Sequence, residues 1–499
     1  MIPQFFREDF KPIIHYLGKL IIGLGLLMTV PLIVGIINKE WNPCLDFIIS
    51  SLICFSVGYL LLLESPKRED LNWRQGMIIV GISWIVAMFL GSIPLFLSGH
   101  YNSYLDACFE TMSAFATTGL VLVKDLDHIS YAHNFWRHFM CFIGGQGIIL
   151  VALIFFVRGG SALKVYIGEA REEKILPNIV ETAKFIWLVS FTYLVIGTSI
   201  FTFVGLFHNM SLGRAFFHGI CVFMAGWDTA GFAVQSQNIT YYHSPIFELL
   251  TVFIFTLGAI NFGVHYCVWT GRPKELLKNF ELKVFLTSIL TLFFILCIGF
   301  IKNFPFPNFL SFFRKTFYQL ISAHTGTGYS NIYSSHFLNY WSPFSLIAII
   351  IAMGLGGSSS STAGGIKIIR IGIFLKGVKK EIKRFTFPES AVVTERFHHI
   401  REILLEDTQL KIACILIISY ISLYLFGAIV GCFYNYPFLH SLFESVSAAA
   451  NVGLSVGITS PLMPAGLKIT YIFEMWIGRL EFFSILVLFN SLFGIRRKR

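Results

Sequence analysis

Four tetrapeptides share one form: Thr117-Thr118-Gly119-Leu120, Thr229-Ala230-Gly231-Phe232, Gly326-Thr327-Gly328-Tyr329 and Asn451-Val452-Gly453-Leu454. In each, a glycine precedes a large apolar residue at the end of a stretch rich in small side chains. The chemistry open to such a set is coordination of a dehydrated cation. Backbone carbonyls from a ring of loops replace water ligands without a net charge that would trap the ion. Turning successive carbonyls inward needs unusual dihedrals, and glycine reaches positive φ freely. One such tetrapeptide would mean little; four in register call for a common cause.

The register extends upstream through residues 106–120, 218–232, 313–329 and 440–454, which align without gaps. Six residues before each glycine stand Ser113, Ala225, Ser322 and Ser447; five before stand Ala114, Gly226, Ala323 and Ala448. Nine before stand Glu110, Val222, Gln319 and Glu444. A repeat of this kind outranks any local assignment and is common in transport folds. Each stretch is too short and too polar to cross a membrane, so it must dip in and return, which is tolerated only in protein or along a water-filled cavity. Small residues at the fifth and sixth positions allow close helix packing. The short helices point C-termini, each worth roughly −0.5 charge, at the axis. Glu110 and Glu444 either tune the potential at the entry or, the favoured reading, brace the turns from behind through hydrogen bonds. Asp228, at a turn's edge, either draws cations to the mouth or sits in a solvated loop.

The elements that must carry these turns follow from composition. Of 499 residues 55% are hydrophobic and 13% charged, against about 25% charged in soluble domains, and the mean hydropathy is +0.70. About 20 apolar residues cross a bilayer core. Ten such runs lie near 20–37, 45–64, 77–98, 135–157, 185–207, 246–269, 284–301, 342–355 (continuing past a break to 376), 410–432 and 470–493. They do not alternate as barrel strands would. The charged N-terminal segment reads as the start of a retained helix, without a cleavage site. The net charge of +10 would suggest nucleic acid in a soluble protein, but the bases cluster in alternate loops, as the positive-inside rule describes. Both termini then fall on the basic, cytoplasmic side. The nine cysteines form no knuckle or redox pair and read as small buried hydrophobes.

These residues give the chain a family likeness. With the four tetrapeptides, Phe135-Trp136-Arg137 through Gly144-Gly145-Gln146-Gly147-Ile148-Ile149, Glu181-Thr182-Ala183-Lys184 with Trp187, Gly258-Ala259-Ile260-Asn261-Phe262 and Gly478-Arg479-Leu480-Glu481 resemble the Trk/Ktr/HKT superfamily of potassium transporters over roughly residues 77–493. The two extra N-terminal spans resemble the TrkH-type pore subunit. The resemblance implies an all-α polytopic membrane protein in which four pseudo-symmetric M1–P–M2 repeats surround one pore. The units are a two-helix extension (1–70) and repeats at 71–175, 176–280, 281–400 and 401–499. It implies potassium as the transported ion, no tightly bound organic cofactor and no enzymatic reaction. The potassium filter is then Thr117, Thr118 and Gly119; Thr229, Ala230 and Gly231; Gly326, Thr327 and Gly328; Asn451, Val452 and Gly453. Gly119 stands where serine accompanies sodium preference in HKT proteins. A sodium-coupled or sodium-permeable transporter of the same fold is the alternative. A bacterial inner-membrane location, a homodimer in membrane lipid and cytoplasmic nucleotide-binding RCK (TrkA-type) subunits are implied as well, and no nucleic acid.

Residues Gly356 to Lys367, GGSSSSTAGGIK, interrupt the third M2 run. Glycine and serine break a helix there, and the family places a gating loop at this point, through Gly356, Gly357, Gly364 and Gly365. The loop departs from the family pattern at Ser358, Ser359 and Ser360. Lys367 and Arg479 lie at membrane depth, where a cation costs about 2.5–3.5 kcal/mol on insertion scales. Both are expected to line an inner vestibule and to regulate flow. Lys367 could instead snorkel, and Arg479 could instead pair with Glu481.

Overall fold

A computed structural model describes residues 4–65, 71–147, 178–301, 304–388 and 392–492. The fold is all-α and polytopic, with one small β-hairpin among the described residues. Helices α1 (Gln4–Leu27) and α2 (Thr29–Ile37) make one bent span that packs against α3 (Trp41–Glu64). Four units come after it. The first is α4 (Trp73–Gly91), α5 (Ile93–Leu97), α6 (Tyr104–Phe115) and α7 (Tyr131–Gln146). The second is α8 (Ile179–Phe207), α9 (Leu212–Trp227), α10 (Pro245–Gly258) and α11 (Phe262–Trp269). The third is α12 (Phe280–Gly299), α13 (Phe309–His324), α14 (Pro343–Gly354) and α15 (Ile368–Thr386). A hairpin of β1 (Arg396–His399) and β2 (Arg401–Leu404) then leads to α16 (Asp407–Phe433), α17 (Phe438–Ala449), α18 (Ala465–Leu480) and α19 (Phe483–Leu492).

Local sequence sets these limits. Serines cap the second helix in three units, Ser130 accepting from His133, Ser244 from Phe247 and Ser342 from Ser345, the N-terminal signature of a short polar side chain. Proline comes directly after the cap at Pro245 and Pro343, where its missing N–H costs nothing. The short helices α6, α9, α13 and α17 have 12, 16, 16 and 12 residues. At 1.5 Å per residue they span roughly 18–24 Å, short of a core about 30 Å thick. Leu188, Leu290 and Ile418 stand exposed on α8, α12 and α16, as lipid-facing positions of outer spans do.

The units close into a ring. Short helix α9 packs on α7 of the first unit, α13 on α10 of the second, α17 on α14 of the third and α6 on α18 of the fourth.

The runs 246–269 and 470–493 are expected as continuous spans; the structure breaks both. Helices α10 and α11 meet at 98°, and α18 ends at Glu481, where φ is +50°. The reason is close approach. A Cβ on Gly258 would stand 1.9 Å from the Trp227 carbonyl oxygen, and one on Gly478 1.8 Å from that of Ala449. Each second helix is thus pressed onto the C-terminus of its own short helix. In the first unit Gly144 approaches the Phe115 oxygen to 1.9 Å in the same sense, and α7 ends two residues later. The remainder of the fourth run, 148–157, lies outside the described residues, as do the basic residues expected at 158–174 and 496–499.

Candidate functional site

All four tetrapeptides adopt one backbone form. The glycine and the residue two before it both have positive φ: Thr117 (54°) and Gly119 (88°), Thr229 (49°) and Gly231 (63°), Gly326 (73°) and Gly328 (79°), Asn451 (55°) and Gly453 (93°). The residue between donates its N–H five residues back, Thr118 to Ser113, Ala230 to Ala225, Thr327 to Ser322 and Val452 to Ser447, at 2.8–2.9 Å. The turn is therefore built as an extension of each short helix. Left-handed φ is costly for threonine and uncommon for asparagine, so something outside the local sequence must hold Thr117, Thr229 and Asn451 there.

The turns meet. A Cβ on Gly119 would lie 2.2 Å from the Ala230 carbonyl oxygen; on Gly231, 2.0 Å from that of Thr327; on Gly328, 1.8 Å from that of Val452; on Gly453, 2.1 Å from that of Thr118. Each glycine presses against the carbonyl of the next unit, and the fourth returns to the first. Such a closed circuit demands convergence on one axis. Asn451 strengthens the last junction by donating to Thr118 Oγ1 at 3.0 Å.

In three units the position nine before the glycine anchors the segment that leaves the turn. Buried Glu110 accepts from the N–H groups of Leu122 and Val123 at 2.7 and 3.1 Å and pairs with buried Arg137 at 2.6 Å. Glu444 accepts from the N–H groups of Val456 and Ile458 and from the hydroxyls of Ser455 and Thr459. Gln319 donates to Ser330 and Asn331 at 3.0 Å. At the fourth place stands Val222, whose carbonyl accepts from Tyr329 OH at 2.9 Å. Both carboxylates thus brace the turns from behind. Asp228 is at neither of its expected places: it is fully buried, accepts from Gln146 at 2.8 Å and faces Gly145. Gln146, the last residue of α7, holds it there.

Beneath the ring lies the loop from Leu355 to Lys367. A Cβ on Gly364 would stand 2.5 Å from the Ala450 oxygen, and Gly364 N is 3.6 Å from the Cβ position of Gly326. Gly356 and Gly365 are folded together, with Gly356 N donating to Ile366 O at 2.9 Å. Gly357 is pressed against Ala363 and Ala259. The loop docks on the break between α10 and α11: Ser358 N donates to Ala259 O, and Thr362 Oγ1 to both Gly258 O and Trp227 O at 2.9 and 3.0 Å. Backbone groups freed by one break are satisfied by the other.

Arg479 reaches across this layer. Its guanidinium donates to Thr362 O at 2.8 Å, Gly144 O at 2.7 Å, Gly145 O at 3.1 Å and Thr117 Oγ1 at 3.3 Å. It thus ties the fourth unit to the first unit's turn and to the third unit's loop. Glu481, the alternative partner, is engaged by Arg370 and lies 3.9 Å from Lys367 Nζ. Lys367 is buried and turns back to donate to Ala363 O of its own loop, so it does not snorkel. Sequence reasoning missed Thr362, Arg370 and Glu281, which accepts from Ser359 N, and gave Glu481 to Arg479 where Arg370 engages it. The available signal was the pairing of charges among Lys367, Arg370 and Glu481 at membrane depth, since buried charges come with partners.

Comparisons place this geometry. The family model described as a cation transport protein, TrkH, matches residues 45–304 and 307–493. The uncharacterized cation transporter MJ1485 of Methanocaldococcus jannaschii is 31% identical over 98% of this chain and 97% of its own length. The Trk system potassium uptake protein TrkH of Escherichia coli K12 is 27% identical over 97% of this chain and 99% of its own. The crystal structure of the potassium transporter TrkH from Vibrio parahaemolyticus shares the fold, with a TM-score of 0.82 at 24% identity over 97% of this chain and 99% of that one. The family model spans most of the chain, and a relative above 30% identity aligns nearly end to end: this protein belongs to the TrkH family of cation transport proteins.

Proposed function

We propose that this protein takes up potassium across the cytoplasmic membrane through the ring of four glycine turns. The observation that carries this is the closed circuit of glycine against carbonyl, from Gly119 through Gly453 back to Thr118. The carbonyls around it, with Thr117, Thr118, Thr229, Ala230, Gly326, Thr327, Asn451 and Val452 beside the glycines, serve as uncharged ligands for a dehydrated ion. The four short-helix C-termini add attraction without a fixed charge in the path. Relatives named as potassium uptake proteins support the choice of ion.

The loop from Gly356 to Lys367 is the gate in this reading. An ion leaving the ring meets the Thr362 carbonyl and the Arg479 guanidinium, so outflow needs the loop to shift and Arg479 to release its carbonyls. The repeats divide near residues 70, 175, 280 and 400. Both termini face the cytoplasm, the pore dimerises, and RCK-type nucleotide-binding subunits act on the gate from that side.

The test is rubidium uptake in a potassium-uptake-deficient bacterium. The wild type should restore uptake, and Gly231→Ser or Gly328→Ser should lose it at equal membrane abundance. Uptake that requires sodium would favour the sodium-coupled alternative. Full uptake by both variants would remove the ring from the transport path.

A further inference from the structure

At the end of the spans where Lys376, Lys379, Lys380 and Lys383 cluster, a cavity of about 700 Å³ opens between α11, α15, the β-hairpin and the start of α16. Its lining brings together Arg272, Arg370, His399 and Arg401 and, among the described residues, contains no carboxylate. Arg370 and His399 are each more than nine-tenths buried, while Arg272 and Arg401 are exposed at the rim. Glu481, which pairs with Arg370, and Glu281, 3.9 Å from His399, are not among the lining side chains. The hairpin is shaped to this end. His399 and Arg401 are register partners, so their side chains share a face, and Ile400 between them takes a left-handed φ of 61°, uncommon for a β-branched residue.

The rest of the wall is apolar. Ile369, Ile373, Phe397, Ile403 and Ile412 face the same space. Ile412 is part-exposed, and Ile415 and Ile418 continue the apolar surface of α16 outward along the span. One end of the cavity is thus cationic and the other runs onto the lipid-facing side of a membrane helix. A soluble anion would use only the first.

We infer that this cavity binds an anionic membrane phospholipid. The headgroup phosphate is held by Arg272 and Arg401 with Arg370 and His399 behind them, and an acyl chain lies along Ile373 and Ile412. Guanidinium forks suit phosphate oxygens. Basic pockets between spans are the general form of headgroup recognition. The site lies apart from the glycine ring, and its test reads lipid retention rather than ion flux, so it can fail while the transport reading stands.

The experiment is native mass spectrometry of the purified full chain in detergent, titrated with phosphatidylglycerol or phosphatidylcholine. The wild type should retain one phosphatidylglycerol through activation and no phosphatidylcholine. The R272Q/R401Q variant, changed only at exposed rim positions, should bind phosphatidylglycerol about tenfold or more weakly. K379Q/K380Q, at the same end but outside the cavity, should bind as the wild type does. Equal retention by R272Q/R401Q, or equal loss by K379Q/K380Q, would overturn the site in favour of diffuse surface charge. Displacement of the lipid by millimolar inorganic phosphate or ATP would overturn the lipid assignment in favour of a soluble phosphate.

Discussion

The upper layer of the axis repeats one backbone turn four times, whereas the layer beneath it takes a loop from the third unit and an arginine from the fourth. In the ring, side chains vary freely between Thr118, Ala230, Thr327 and Val452 while dihedrals and glycine contacts stay constant. Below it, Thr362 and Arg479 have no counterpart at the equivalent places of the other units, and their side chains add specific links to those made by the loop backbone. In the function proposed above, the difference lets a fourfold repeat serve one cation and still be controlled. A spherical ion needs ligands from all sides, so drift of sequence is allowed only where the backbone is untouched. A gate needs one moving part, and a part present once can be displaced without disturbing three others.

The sharpest way to break this comparison is within the ring. Gly328→Ala places a Cβ 1.8 Å from the Val452 oxygen at φ of 79°. Overpacking costs about 1–3 kcal/mol and the left-handed dihedral about 1–2 kcal/mol more. Rubidium uptake at matched abundance should fall at least about thirtyfold. Gly326 has nearly the same φ, yet its Cβ position is 3.6 Å from the nearest atom. Three other units already place Thr117, Thr229 and Asn451 there with positive φ. Gly326→Asn should keep uptake within about threefold of wild type, since asparagine tolerates that region. Equal damage from both would mean that shape of side chain, not backbone contact, defines the ring.

The braces behind the ring should matter next, and unequally. Arg137→Ala leaves Glu110 buried without its 2.6 Å partner, a loss of about 3–5 kcal/mol. Glu444 is held by hydroxyl and amide donors alone among the contacts described. Glu444→Gln keeps one acceptor oxygen and should cost about 1–2 kcal/mol. Thermal unfolding of the detergent-purified variants, followed by size-exclusion fluorescence, should show the larger shift for Arg137→Ala. The reverse order would show that Glu444 carries more than neutral hydrogen bonding.

Much of the ring was legible because its cause is local and repeated. Glycine positions, the short helix and the small residues packed against it all lie within fifteen residues of one another, and four copies cancel chance. The break in the third M2 was legible for the same reason, since Gly356 to Gly365 carries its own helix-breaking composition. The breaks at Gly258 and Gly478 were not. Ala259-Ile260 and Leu480 keep the apolar run intact, and the helix is snapped by a carbonyl some thirty residues earlier, at Trp227 or Ala449. The same holds for Thr117 and Thr229, whose left-handed φ opposes their own preference and is imposed by ring closure. Asp228 misled because a carboxylate beside a turn suggests water, while here a neighbouring unit supplies Gln146. Fold class and the repeat are written in periodicity; the contacts between units are written in pairs of residues that only closure brings together.

Below the ring, effects should be on flow and not on assembly. Arg479→Gln removes the charge under the turns but keeps an amide that can reach part of the same carbonyl set. Potassium or rubidium flux in proteoliposomes should rise by about two- to fivefold, as lowering an electrostatic barrier in a pore does. Lys367→Gln should raise it less, because that ammonium is already turned onto Ala363 O and toward Glu481. Lower flux in Arg479→Gln would make the arginine a strut of the ring and would merge the two layers that the comparison separates.

The smallest expected effect falls on Thr362, and it tests the separation most directly. Its hydroxyl carries one hydrogen shared between Trp227 O and Gly258 O and lies 3.3 Å from Thr229 Oγ1, so Thr362→Val forfeits these contacts at nearly constant volume, about 1 kcal/mol. That loss loosens the loop from the second unit while every carbonyl of the ring stays where it was. Flux should rise slightly, Thr362→Ser should behave as the wild type, and the ratio of potassium to sodium flux should be the same in all three. Bi-ionic reversal potentials in planar bilayers would check this. A changed ratio in Thr362→Val alone would mean that the loop tunes the ring, because Thr362 meets the ring at the Thr229 hydroxyl, 3.3 Å away, and a change there alters selectivity by moving that turn.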